Sequence, residues 1–273
     1  MALIKMNFLS KMLGMQTNVT IALPTFSFAD IMNGRPDYYV QGMKYQVLWL
    51  LHGGSGDDSD YVNFSNIVRY ADDHKLAVVM PADFNQQYTD DESGAQYFKY
   101  VADELPQMLP ALFPFSTERA DNFVGGLSMG AHGAMKCAIM RPERYQAALI
   151  MSGAARDPQN PLKPPFQFDA GTGLAGPKVI ETVAGSENDA FYHAKKNVAD
   201  GRPLPEFFIT CGLDDFALER SRSAADFLQK EGYPVHTEWV EGYSHEWDFW
   251  DLTLKKAISQ WLPLRHSVIY PKD

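Results

Sequence analysis

Cysteine is scarce in this chain of 273 residues, which has two, Cys137 and Cys211. Neither belongs to a CxxC pair, so no cysteine-based metal site is indicated. Both fall in apolar stretches of a predicted helix and strand, which predicts buried reduced thiols rather than a disulfide. Long hydrophobic runs are missing too, and no segment approaches the roughly 18 apolar residues that a membrane span needs. The N-terminal MALIKMNFLSKMLGMQ is interrupted by Lys5 and Lys11 and lacks a small-residue cleavage site, so it reads as a first strand and not a signal peptide. Basic charge is in deficit, with 24 Lys and Arg against 34 Asp and Glu and a net charge of −10. That balance argues against nucleic acid or an anionic membrane as the main partner. No internal repeat, low-complexity tract or composition shift marks a second domain. The expectation is a cytoplasmic protein with one domain over residues 1–273, and small neutral or weakly charged substrates remain open to it.

Apolar residues make up 45% of the chain, enough for a sizeable core. Ala2 to Leu9 and Thr17 to Leu23 alternate apolar with polar side chains and predict an antiparallel hairpin at a sheet edge. Apolar strands are predicted at 45–51, 76–80, 121–125, 147–152, 206–211 and 234–240. Helical patterns lie at 59–74, 96–112, after 128, at 216–230 and at 253–261, with Pro106 and Pro110 bending or ending the second. This alternation predicts an α/β fold with a mostly parallel central sheet and helices on both faces. Gly153 to Pro205 breaks the rhythm, with five prolines between Pro158 and Pro177 and a helical pattern at 188–198. An irregular stretch of that length suits a cap over a site.

The centre of the chain reads DNFVGGLSMGAHGAM, from Asp121 to Met135. Gly126-Leu127-Ser128-Met129-Gly130 fits G-x-S-x-G, a pattern that also occurs in ordinary glycine-rich turns. Here an apolar strand precedes it and a helix follows, the context of a nucleophile elbow that lifts one serine hydroxyl above the carboxyl edge of a sheet. A serine hydroxyl is a weak nucleophile at neutral pH, so the elbow needs a general base and a partner to orient that base. In α/β hydrolases these follow in the order Ser, Asp or Glu, His. Asp214 and Asp215 compete for the orienting role. Asp215 is favoured because it reaches out of the turn begun by Gly212, and one of the pair can serve as a helix cap. Among the histidines, His245 alone has both the chain order and a strand-end loop containing glycine. His132, one turn past Ser128, is expected to pack near the pocket.

The strand 45–51 ends in His52-Gly53-Gly54-Ser55-Gly56-Asp57. A glycine-rich connection explains this alone, but with an elbow downstream it reads as an oxyanion-hole loop. The donors would be the N–H of Gly54, or of its neighbour Ser55, and the N–H of Met129. His52 then orients the loop. Ser55, Tyr88 and Trp247 are candidate substrate contacts, Tyr88 from the polar loop 83–93; the aromatics fit the core equally well. No metal or organic cofactor is implied.

Together with VLWLLHGGSGD (Val47 to Asp57), VVMP (Val78 to Pro81), YTD (Tyr88 to Asp90), ELPQ (Glu104 to Gln107), CGLDDF (Cys211 to Phe216) and SHEWDFW (Ser244 to Trp250), the elbow resembles the esterase D family of α/β hydrolases, and within it bacterial tributyrin esterases. The resemblance covers nearly the whole chain. It implies the α/β-hydrolase fold, with Ser128 as nucleophile, Asp215 as acid and His245 as base. Ala131 stands where the family usually has glycine, which should change packing and not chemistry. The implied activity is a serine carboxylesterase for short-chain acyl esters of acetyl or butyryl type. The alternatives within the family are a feruloyl or acetylxylan esterase and an S-formylglutathione hydrolase-like thioesterase. A homo-oligomer is expected only because related proteins form them.

Overall fold

The computed structural model describes residues 1–32, 34, 38–91, 94–159 and 183–271. Eight strands form one sheet in the order β1-β2-β4-β3-β5-β6-β7-β8. The hairpin is the edge predicted from its alternation, with β1 (Ala2–Ser10) antiparallel to β2 (Met15–Leu23) around Gly14 at φ 67°. β2 in turn runs antiparallel to β4 (Leu76–Pro81). From there β4, β3 (Gln46–Leu51), β5 (Asn122–Leu127), β6 (Ala147–Met151), β7 (Glu206–Gly212) and β8 (Val235–Val240) are parallel. The central strands β3, β4, β5 and β6 are buried at every residue, as continuous apolar runs require when both sheet faces are covered.

Two cores, one on each face, supply that cover. On one face Tyr61, Ile67, Tyr70 and Ala71 pack with Phe249, Leu254 and Ile258, bringing α2 (Asp60–Phe64), α3 (Ile67–Asp73) and α9 (Trp247–Lys256) onto the strands. On the other face lie α4 (Tyr97–Lys99), α5 (Leu105–Leu112), α6 (Met129–Met140), α7 (Ala190–Ala199) and α8 (Leu218–Lys230). α1 (Phe28–Met32) lies in the connection between β2 and β3.

Several boundaries differ from the sequence reading. The helix expected over 59–74 is two helices, because Ser65 is extended (φ −139°, ψ 173°); its hydroxyl joins its own N–H on the Tyr61 carbonyl and accepts the Ile67 N–H, which starts the next helix. The pattern over 96–112 passes through a wide π turn at Tyr100–Glu104 before α5, which holds Pro106 and Pro110. The last helix begins at Trp247 and not at Thr253, since burying Phe249 and Trp250 orders the residues just after His245. Within the stretch read as a cap, α7 is an ordinary crossover helix between β6 and β7. It docks on α6 through buried Phe191 and Ala194, and Asn197 Nδ2 donates to the Ile139 carbonyl at 2.7 Å. Residues 160–182 of that stretch lie outside the described residues.

Candidate active site

The elbow is a place where backbones meet too closely for side chains. β5 ends at Leu127, Ser128 turns at φ 54° and ψ −113°, and α6 starts at Met129. That φ is left-handed and unfavourable for a residue with a Cβ, so it persists only where the surroundings impose it. A Cβ on Gly126 would lie 2.3 Å from the Gly130 carbonyl oxygen, and one on Gly130 would lie 2.0 Å from that of Leu51. The two motif glycines are therefore steric requirements of the turn. Gly153, just past β6, passes the same spot: its Cβ would sit 2.7 Å from the Ser128 carbonyl oxygen and 3.1 Å from the Ala131 Cβ. The bare α-carbon of Gly153 is what leaves room for the methyl group of Ala131, which is fully buried.

At the carboxyl ends of β7 and β8 the structure joins Asp215 to His245. Both carboxylate oxygens of Asp215 lie 3.0 Å from His245 Nδ1, and Oδ1 also accepts the Ala217 N–H at 2.8 Å. Asp215 is buried and meets His245, while Asp214 is exposed. Burial acts to raise the Asp215 carboxyl, but the bonds from His245 and from the Ala217 N–H outweigh it and hold the carboxyl below its ordinary value. A carboxylate so held fixes Nδ1 as the protonated nitrogen and leaves Nε2 to accept. Trp250 meets the imidazole edge-on, centroids 4.9 Å apart, and donates its indole N–H to Ser152 Oγ at 2.9 Å. Ser152 precedes Gly153, so one short path of contacts links the imidazole to the elbow.

The loop after β3 reaches the elbow from the other side. Gly53 lies against Ser128, its would-be Cβ 3.6 Å from that of Ser128. His52 is buried and held at both ring nitrogens, Nε2 accepting the Asp83 N–H at 2.9 Å and Nδ1 lying 2.7 Å from the Gly53 carbonyl oxygen. Because Nε2 accepts, Nδ1 carries the proton and donates. Burial keeps this ring below the ordinary histidine pKa, so it stays neutral. In a trans peptide the C=O and N–H point oppositely. Pinning the Gly53 carbonyl to His52 therefore turns the Gly54 N–H the other way. The Ser55 N–H is already taken by Asn85 Oδ1 at 2.6 Å. Of the two amides left open by the sequence, that of Gly54 meets no acceptor among the described residues. The other candidate donor, the N–H of Met129, sits in the first turn of α6, where amides have no intrahelical acceptor.

A family model described as putative esterase matches residues 29–260. The chain belongs to this family. Among its relatives, the acetyl esterase of Caldicellulosiruptor saccharolyticus is 29% identical over 269 residues, covering 96% of this chain and 98% of that one. Among solved structures, the fluorophosphonate-binding serine hydrolase FphF of Staphylococcus aureus is 31% identical with a TM-score of 0.80. An S-formylglutathione hydrolase (FrmB) of the same organism is 29% identical with a TM-score of 0.77. Each covers 96% of this chain and 98% of its own. The protein is a serine esterase with the α/β-hydrolase fold.

The three residues read as substrate contacts fare differently in this esterase. Ser55 is exposed at φ 65°, within the glycine-rich loop that follows β3. Tyr88 is fully buried, which corrects its placement at the pocket: its hydroxyl donates to the His52 carbonyl at 3.0 Å, and its ring fills the space left by Gly133, where a Cβ would fall 2.5 Å from it. Trp247 is half-buried in an aromatic group with Tyr61, Phe64 and Trp250. Phe216, whose ring is 4.2 Å from that of His245, was not singled out from the sequence, nor were Ser152 and Trp250. No spacing rule signals them, since they act through contacts between distant strand ends. The other histidines have different duties: His132 Nδ1 accepts the Arg156 N–H, His236 pairs with Glu206, and His74 meets His266. Both cysteines are free and buried. Among the described residues no helix is long and apolar enough to cross a membrane, and no group of three or more ligating side chains could hold a metal ion.

Proposed function

We propose that this esterase hydrolyses short-chain acyl esters through an acyl-enzyme on Ser128. The observation that carries the reading is the hold of both Asp215 oxygens on His245 Nδ1, at the same sheet edge as a serine kept at φ 54°. His245 Nε2 takes the Ser128 proton as Oγ attacks the ester carbonyl, and Asp215 stabilises the imidazolium. The N–H groups of Gly54 and Met129 receive the oxyanion. The proton passes to the departing alcohol, and the C–O bond breaks. Water, deprotonated by His245, then attacks the acyl group and returns Ser128 to its free form.

The acetyl esterase relative supports a short acyl group, since its likeness runs over nearly the full length of both chains. The S-formylglutathione hydrolase likeness supports a second reading, in which the same groups cleave a thioester. A reducing compartment such as the cytoplasm suits two unpaired buried thiols. The test is hydrolysis of nitrophenyl acetate, butyrate and octanoate, a feruloyl ester and S-formylglutathione by the wild type beside Ser128→Ala. Rates that fall from acetate to octanoate and vanish in the variant are expected. A preference for the feruloyl ester or the thioester moves the substrate class, and activity that survives Ser128→Ala ends the nucleophile assignment.

A further inference from the structure

The loop that follows β4, residues 83–89, is bent in a way that side chains resist. Phe84, Asn85, Gln87 and Tyr88 have φ of 50°, 62°, 60° and 49°. Non-glycine residues hold such angles only where neighbours enforce them. The enforcement is buried. Asp83 Oδ1 accepts the Tyr88 N–H at 2.9 Å, closing the loop on itself. Lys136, fully buried on α6, donates to the Tyr88 carbonyl and to Thr89 Oγ1, both at 3.2 Å. The loop is thus tied to the same helix that begins at the nucleophile.

So fixed, the loop grips the oxyanion segment at both ends. At one end the Asp83 N–H holds the His52 ring, and the Tyr88 hydroxyl holds the His52 carbonyl. At the other, Asn85 Oδ1 accepts the Ser55 N–H at 2.6 Å, with Ser55 itself at φ 65°. Gly54 lies between these anchors. A glycine has wide conformational freedom, and an amide that must meet a developing charge loses effect if it swings. The two torsions of Gly54 orient the peptide planes before and after it. His52 fixes the first plane through the Gly53 carbonyl, and Asn85 fixes the second through the Ser55 N–H.

We propose that Asn85 is a positioning residue for catalysis, holding the Gly54 N–H in place as an oxyanion donor through its bond to the Ser55 N–H. The inference rests on the reading of Ser128 as nucleophile and Gly54 as donor. Asn85 is half-buried at the loop surface, so its replacement leaves the core intact.

The test compares wild type, Asn85→Ala, Asn85→Leu, Asn85→Asp and Ser128→Ala on nitrophenyl acetate, with thermal unfolding to confirm that each is folded. Deleting an oxyanion donor costs about 10²- to 10³-fold in kcat, and a donor left in place but loosened should cost less, about 10- to 100-fold. Asn85→Ala and Asn85→Leu should show that loss in kcat with KM nearly unchanged. Both should bind a boronic acid transition-state analogue more weakly by the factor lost in kcat/KM. Asn85→Asp keeps the acceptor oxygen and should recover part of the rate, its charge near the oxyanion withholding the rest. An unchanged kcat in Asn85→Ala, a loss confined to KM, or an Asp variant no better than Ala overturns the positioning role while Ser128-dependent hydrolysis stands. Hydrolysis that persists in Ser128→Ala overturns the esterase reading of the site and this inference with it.

Discussion

Beyond β3 and β4, the loops 52–57 and 83–89 carry five non-glycine residues at positive φ: Ser55, Phe84, Asn85, Gln87 and Tyr88. Beyond β7 and β8, the loops 213–217 and 241–246 carry one positive φ, at Gly242, which as a glycine bears it without strain. The difference follows from what each side contributes. On the β7 and β8 side the groups that the proposed mechanism uses are side chains, and an aspartate and a histidine can be aimed by rotamer choice from relaxed backbone. On the β3 and β4 side the proposed mechanism uses a backbone N–H, so the backbone itself must be aimed. Left-handed residues of that kind cost of order 1–3 kcal/mol each, and the buried bonds of Asp83, Tyr88 and Lys136 offset them.

The comparison predicts that removing a side chain that takes part in bond making costs far more than loosening one that aims a peptide. The largest effect belongs to Ser128→Ala and His245→Ala, each expected to lower kcat by about 10⁵- to 10⁶-fold, with the double variant scarcely worse, because the two act as a unit. Asp215→Asn should cost about 10⁴-fold, by favouring the wrong imidazole tautomer. Steady-state kinetics on nitrophenyl acetate checks all of these, and a near-additive double variant would break the comparison.

On the aiming side, Tyr88→Phe removes the donor to the His52 carbonyl. A loss of about 1–3 kcal/mol in unfolding free energy is expected for the unsatisfied buried oxygen, with kcat lowered by roughly tenfold or less. Denaturant titration and kinetics together check it. A drop in kcat as large as that of Asp215→Asn would mean that Tyr88 does more than hold the loop.

The acid–base side can be sharpened through pH. The folded-state pKa of Asp215 is depressed, so its contribution to stability is present above the unfolded value of about 3.9 and is lost as pH falls through the lowered folded value. The stability deficit of Asp215→Asn should therefore be full near neutral pH and shrink below about pH 4. Denaturant midpoints of both proteins along that range decide it, and a deficit constant down to pH 3 would contradict the hydrogen-bonded carboxylate. The smallest effect is expected at the cysteines. Burial pushes the Cys137 and Cys211 thiols up to about 12, so iodoacetamide at pH 8 should label neither in the folded protein and both after denaturation.

Ser128, Asp215 and His245 could be nominated from the sequence because side-chain chemistry leaves its residue type at a fixed place, in the order in which parallel strands deliver their loops, and the structure pairs Asp215 with His245. The glycines of the elbow were legible for a steric reason that the Gly126 and Gly130 contacts bear out. Helix ends were less legible, since Ser65 breaks a good apolar pattern through its own hydroxyl, and Trp247 starts a helix only because Phe249 and Trp250 find a core. Tyr88 was misplaced for a related reason: an aromatic in a polar strand-end loop looks the same whether it faces a pocket or fills the gap beside Gly133.

By itself, then, the chain determined the parallel sheet, its edge hairpin and the candidates for proton exchange, because apolar periodicity and residue identity are local properties. That Asp215 and not Asp214 meets His245, that the Ser55 N–H is taken by Asn85, and the contacts of His52 and Lys136 were decided only by the tertiary structure. Each depends on which donor meets which acceptor across loops far apart in sequence, from Ser55 to Asn85 and from Tyr88 to Lys136, and such pairings exist only once the sheet has brought its strand ends together.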